Sequence, residues 1–158
     1  MTIKIAVICD KSRWSAILQR VGVWFGVQMD CPEYPYHAAF YDPEQGRYYD
    51  MHVHFRKASA GAYKSKTVYF FVPPVCVDVT LLERLVGKRF YGVLDVLLYV
   101  PAKWLRINLP GDHCSEVVND TLRLCGARTP WKSHDAPPSP CELLKWAATN
   151  LQPWTKEP

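Results

Sequence analysis

Apolar residues alternate at the start of the chain. Ile3, Ile5 and Val7 fall on every second position, which predicts a strand over 2–9. From Ser12 the period lengthens to 3.6, with Trp14, Ile17, Leu18, Val21, Trp24 and Phe25 on one stripe. Ser12 is the expected cap of that helix, and Gly26 with Cys31-Pro32-Glu33-Tyr34-Pro35 breaks it. Residues 36–42 and 47–55 read as a hairpin around Asp42-Pro43-Glu44-Gln45-Gly46. A further strand, Thr67 to Val72, stops at Pro73-Pro74.

The second half is helical in pattern. Thr80 is expected to cap a short helix, Leu81 to Val86, that ends at Gly87. A helical stretch from Phe90 to about Leu105 is interrupted at Pro101. After the turn Pro110-Gly111-Asp112, a helix opening at Cys114 places Cys114, Val117, Val118, Thr121 and Cys125 on one side, and Gly126 closes it. A last helix begins near Ser139 or Pro140 and covers Glu142 to Ala148. Helices and antiparallel strands are segregated along the chain, so the expected class is α+β, an antiparallel sheet packed against helices.

Composition narrows this picture in a few places. At 158 residues, half of them hydrophobic, the chain is long enough for one domain that buries its own core. The expected division is a domain over 1–126 and a Pro/Trp-rich extension over 127–158, packed on that domain or on a partner. The net charge is +4 and no run of Lys or Arg exceeds two, so no nucleic-acid stripe is present in the sequence. A weakly basic surface suits an anionic polymer such as cell-wall material. The first ten residues are too soon interrupted by charge for a signal peptide, and no apolar run approaches membrane-spanning length. The expectation is synthesis in the cytoplasm without a signal peptide. The six cysteines are irregularly spaced, with no CxxC and no zinc-ligand pair, so neither a disulfide framework nor a metal or organic cofactor is expected. Cys9, Cys76 and Cys125 read as small core residues, and Cys31 and Cys141 as loop or helix-start residues.

Two segments carry chemistry. A histidine opens the strand Tyr36-His37-Ala38-Ala39-Phe40-Tyr41, and a cysteine opens the helix Cys114-Ser115-Glu116-Val117-Val118. A thiol at a helix start meets unsatisfied backbone N–H groups and the positive end of the helix dipole, which favour thiolate. An imidazole presented from a sheet can pair with that thiolate and shuttle its proton. Asp50, His52 and His54, two apart on the second hairpin strand, share one face if that strand runs to residue 55. Asp50 is the expected partner of His37, brought roughly opposite it by the hairpin, with His52 as runner-up. His54 and His113 read as surface or supporting groups.

In this order the elements resemble the circularly permuted papain-like hydrolases, relatives of the NlpC-type cell-wall peptidases. The opening strand and the helix Ser12-Arg13-Trp14-Ser15-Ala16-Ile17-Leu18 are similar to the family's N-terminal unit, and Tyr36 to Tyr41 to its histidine strand. Cys114 to Val118 resembles its nucleophile helix, and Pro138 to Leu144 its closing helix. Gly87-Lys88-Arg89-Phe90-Tyr91-Gly92-Val93-Leu94 is similar to the segment that carries an active-site tyrosine, which would make Tyr91 a hydroxyl near the oxyanion. The resemblance implies a cysteine peptidase or amidase acting on peptidoglycan or another peptide substrate, without a cofactor. It also admits ester or thioester hydrolysis and acyl transfer. A rival reading makes the domain a structural or binding part of a phage tail, virion-associated and docked on neighbouring subunits through Trp131, Trp146, Trp154 and the six prolines after Ala127.

Overall fold

A computed structural model describes residues 3–10, 35–90, 112–132 and 136–155. The helix expected from Ser12, Cys31, the stretch expected from Phe90 to Leu105 apart from Phe90 itself, Tyr91, and residues 110–111 of the expected turn lie outside the described residues. Within them the chain is α+β. A six-stranded antiparallel sheet runs in the order β4-β3-β2-β1-β5-β6. Its strands are β1 (Lys4–Cys9), β2 (Pro35–Asp42), β3 (Arg47–Met51), β4 (Phe55–Ser59), β5 (Thr67–Phe71) and β6 (Pro153–Trp154). Three helices accompany them: α1 (Val79–Leu85), α2 (Cys114–Leu124) and α3 (Pro140–Asn150).

The β2–β3 hairpin closes where turn chemistry requires it. Asp42 Oδ1 accepts from the N–H of Glu44 at 3.0 Å and of Gln45 at 3.3 Å, and Gly46 supplies a φ of 60°. Beyond it the structure departs from the sequence pattern. The strand expected to run to residue 55 ends at Met51, the chain turns through 52–54, and Phe55 begins β4. A 3-10 turn, Ala60–Tyr63, then leads towards β5. The turn at 52–54 carries no Gly or Pro, so the sequence pattern runs straight through it and does not mark the second hairpin.

Both faces of the central strands are covered, because β1 alternates between two buried layers. Ile5, Val7 and Cys9 join Ala38, Phe40, Tyr49, Met51 and Phe55 beneath the helices. There α2 packs on β2 and β3, and α3 on β1 and β2, through Val117, Val118, Leu122, Leu143, Leu144 and Ala147. Ala6, Ile8, Ala39, Tyr41 and Tyr48 form the opposite layer, capped by Tyr63, Phe70 and Trp154. Burying a Leu or Ile side chain on either face is worth roughly 1.5–3 kcal/mol.

The C-terminal stretch belongs to this core. Ser139 caps α3, accepting from Glu142 N–H at 3.1 Å while Glu142 accepts from Ser139 N–H at 2.6 Å, and Pro140 stands in the first turn. Trp131 and Trp146 meet edge to face, 5.8 Å between centroids, against the helix-side core. Trp154 reaches Tyr41 and Phe70 from β6. Of the two placements expected for the extension, on the domain or on a partner, these aromatic side chains take the first, since α3 and β6 need the sheet to bury their apolar faces. Two smaller expectations are corrected. Asp78, not Thr80, caps α1, its carboxylate accepting from Thr80 N–H at 2.9 Å. Cys76 is exposed rather than a core residue, because it lies in the irregular chain between β5 and α1.

Candidate active site

Cys114 is the first residue of α2, and His113, in extended conformation, precedes it as the helix cap. Glu116 Oε2 accepts from the His113 N–H at 3.2 Å, which satisfies one orphan donor of the first turn. Ser115 Oγ donates to the Pro138 carbonyl at 2.5 Å, so the C-terminal segment clamps the helix start. Farther along α2, Arg123 Nη1 donates to the Trp131 carbonyl at 2.7 Å and Thr129 Oγ1 to Asn119 Oδ1 at 2.6 Å. These contacts fix where the thiol stands. Gly126, with a φ of 91°, ends the helix as its sequence position implies.

The buried thiol of Cys114 lies beside the His37 imidazole, with the backbone of Ala38 and Ser115 close to its sulfur. Burial by itself raises the thiol pKa, but the positive charge of His37 and the polar groups beside the sulfur outweigh it and hold the thiol below its ordinary value. His37 responds in the complementary sense. Burial lowers its pKa, while the Cys114 thiolate and the Asp50 carboxylate raise it further, to about 9. Both shifts favour a thiolate–imidazolium pair at neutral pH.

Asp50 stands behind the histidine and is completely buried. The register of β2 on β3 places it opposite Ala39, not opposite His37, so its carboxylate reaches the imidazole diagonally. His37 Nε2 lies 3.6 Å from Asp50 Oδ2. Two further groups hold the carboxylate. Arg56 Nε donates to Oδ1 at 2.9 Å, and the Tyr63 hydroxyl donates to Oδ2. Burial would raise the Asp50 pKa, but His37, Arg56 and Tyr63 together hold it well below the usual carboxylate range.

Of the residues singled out in sequence, the structure brings Cys114, His37 and Asp50 together. His52 and His54 do not share the Asp50 position; both are exposed in the turn after β3, because that strand stops at Met51. Tyr91 lies outside the described residues. Arg56 and Tyr63 were not anticipated. Arg56 sits directly opposite Asp50 on β4, an opposite-charge cross-strand pair, and becomes visible only once the 52–54 turn is recognised. Tyr63 arrives from the 3-10 turn, and no spacing rule links it to residue 50.

A cleft of about 400 Å³ opens beside the histidine, lined by Tyr36, His37, Met51, His52, Arg56, Ala62 and Tyr63. Among the described residues, Asp112, Glu116 and Asp120 bring carboxylate oxygens within 4.8 Å of one another. Arg89 Nη1 already pairs with Asp112 at 2.7 Å and with Asp120 at 3.4 Å, which makes the cluster an ion-pair network with its own cation. No helix among the described residues is long and apolar enough to cross a membrane. No protein-family model, curated protein or solved structure matches the chain.

Proposed function

We propose that this protein is a cysteine hydrolase that cleaves amide bonds, with peptidoglycan peptides as the favoured substrate. The observation that carries the reading is the buried Cys114 thiol at the start of α2, beside His37, with Asp50 behind the imidazole. A nucleophile, a base and an orienting carboxylate in contact form the arrangement that acyl transfer needs. The order of histidine strand before cysteine helix, and the antiparallel sheet against which that helix packs, support the resemblance to permuted papain-like hydrolases. The substrate class rests on that resemblance and on the mildly basic net charge.

In this mechanism the Cys114 thiolate attacks the scissile carbonyl carbon, and the carbonyl oxygen takes up the negative charge. Backbone N–H groups at the start of α2 stabilise that oxyanion. The His37 imidazolium gives its proton to the leaving nitrogen as the C–N bond breaks, which leaves a thioester on Cys114. His37, now neutral, takes a proton from water, and the hydroxide attacks the thioester. The acid departs, and the thiolate–imidazolium pair is restored. Asp50 keeps the ring oriented through both steps.

Incubation of purified peptidoglycan with the full chain and with Cys114→Ala tests the reading. Soluble peptides released by the native chain and absent with the variant are the expected result. No release, together with alkylation of Cys114 no faster than of the other cysteines, would overturn it.

A further inference from the structure

Asp50 Oδ2 has two claimants. The Tyr63 hydroxyl donates to it, while His37 Nε2 stands 3.6 Å away, beyond the 2.7–3.2 Å of an N–H···O bond. Nε2 is buried and makes no hydrogen bond among the described residues. The Tyr63 ring also lies against the imidazole, with centroids 5.8 Å apart and planes at 41°. The same side chain therefore touches both the base and the carboxylate that orients it.

We propose that Tyr63 is a positioning residue for His37: its hydroxyl shares Asp50 Oδ2 with the imidazole and so sets how firmly that carboxylate holds the ring. The inference rests on the proposed reading of Cys114 and His37. A carboxylate oxygen has two lone pairs, so both donors can engage it, but each one draws charge that the other would otherwise meet. Arg56 occupies the other oxygen and keeps the carboxylate ionised without touching the imidazole side. The phenol is the weaker acid of the two donors and keeps its proton, since burial and the Asp50 charge raise its pKa. It therefore acts as a fixed neutral donor, while the imidazole is the donor whose charge changes.

The ionisable groups around this pair come from several elements: Tyr36 from β2, Asp50 from β3, Arg56 from β4, Tyr63 from the 3-10 turn and Cys114 from α2. Arg56 bears a fixed charge and Asp50 is ionised throughout the neutral range. The limbs of a pH profile between about 4 and 10 thus report Cys114 and His37 as a pair. Removing the Tyr63 hydroxyl leaves Asp50 with more charge for His37, so the imidazolium persists to higher pH. Removing the carboxylate does the opposite.

Iodoacetamide alkylation of Cys114 in the full chain, followed by mass spectrometry from pH 4 to 10.5, reads both limbs. The upper inflection, where the imidazolium loses its proton, should move up by on the order of one pH unit in Tyr63→Phe, the worth of one hydrogen bond to a charged group. It should move down in Asp50→Asn. Site-specific 3-fluorotyrosine at position 63, nearly isosteric and a stronger donor, should lower it, and this variant keeps the test available if Tyr63→Phe does not fold. An upper inflection that ignores position 63, or that moves in one direction with both the Phe and the fluorotyrosine variant, overturns the proposal. Cys114 that fails to label selectively in the native chain would instead refute the reading beneath it.

Discussion

Asp50→Asn is the substitution that presses hardest on this arrangement. The wild-type carboxylate is completely buried, accepts from Arg56 and Tyr63, and lies 3.6 Å from His37 Nε2. The amide keeps the volume and can still accept from Tyr63, so the loss is one of charge. Arg56 is 40% exposed and turns to water, which limits that part to about 0.2–1 kcal/mol. Converting the Tyr63 bond from charge-assisted to neutral costs roughly 1 kcal/mol. Removing the anion beside a buried imidazolium adds about 1.4 kcal/mol for each pH unit by which His37 is lowered. The expected destabilisation is about 3 kcal/mol at pH 7, read as a lower urea midpoint with unchanged slope. The folded-state pKa of Asp50 is depressed, so its contribution is present above the unfolded value near 4 and is lost as pH falls through the folded value. His37 is raised to about 9, so its share is full below its unfolded value near 6.5 and is lost as pH rises through 9. The gap between wild type and variant should thus be widest near pH 5–7 and should narrow towards pH 3 and above pH 9. A gap under 0.5 kcal/mol at pH 7, or one that widens on acidification, would refute the reasoning.

Other consequences are simpler to measure. Near pH 6, limiting iodoacetamide should modify Cys114 faster than any other cysteine, because its thiol is held below the ordinary range while burial and neighbouring charge push Cys125 up; mass-spectrometric mapping checks this. Truncation after Gly126 removes Cys141, Leu143, Leu144 and Ala147 from the core and the Pro138 anchor from Ser115, a loss comparable with a whole domain's stability of roughly 5–15 kcal/mol; cooperative thermal unfolding should disappear. Leu143→Ala at a site with no exposure should cost about 2–5 kcal/mol in chemical denaturation. Gly126→Ala, at a φ of 91° with open space around the added Cβ, should cost about 1 kcal/mol through backbone strain alone, which a thermal melt would show.

Local rules made much of this protein legible in its sequence. Alternation in Ile3, Ile5 and Val7 marks β1, the Asp42–Gly46 turn closes the β2–β3 hairpin, and Ser139 with Glu142 announces α3. Cys114 stands at a helix start, as the helical period from that residue implies. Each of these depends on interactions within a few residues. What the chain does over longer distances was decided by the tertiary structure. The sheet order, with β1 between β2 and β5, brings together strands whose pairing no local signal encodes. The turn at 52–54 moved His52 and His54 off the Asp50 face and brought Arg56 opposite it. Tyr63 reaches Asp50 only because the chain folds a 3-10 turn over that face, and Trp131 and Trp146 pack against the core only because α3 finds β1 and β2. Sequence periodicity states which side of an element is apolar. Which other element covers that side, and which buried charge meets which donor, follows from the packing of surfaces far apart in the chain.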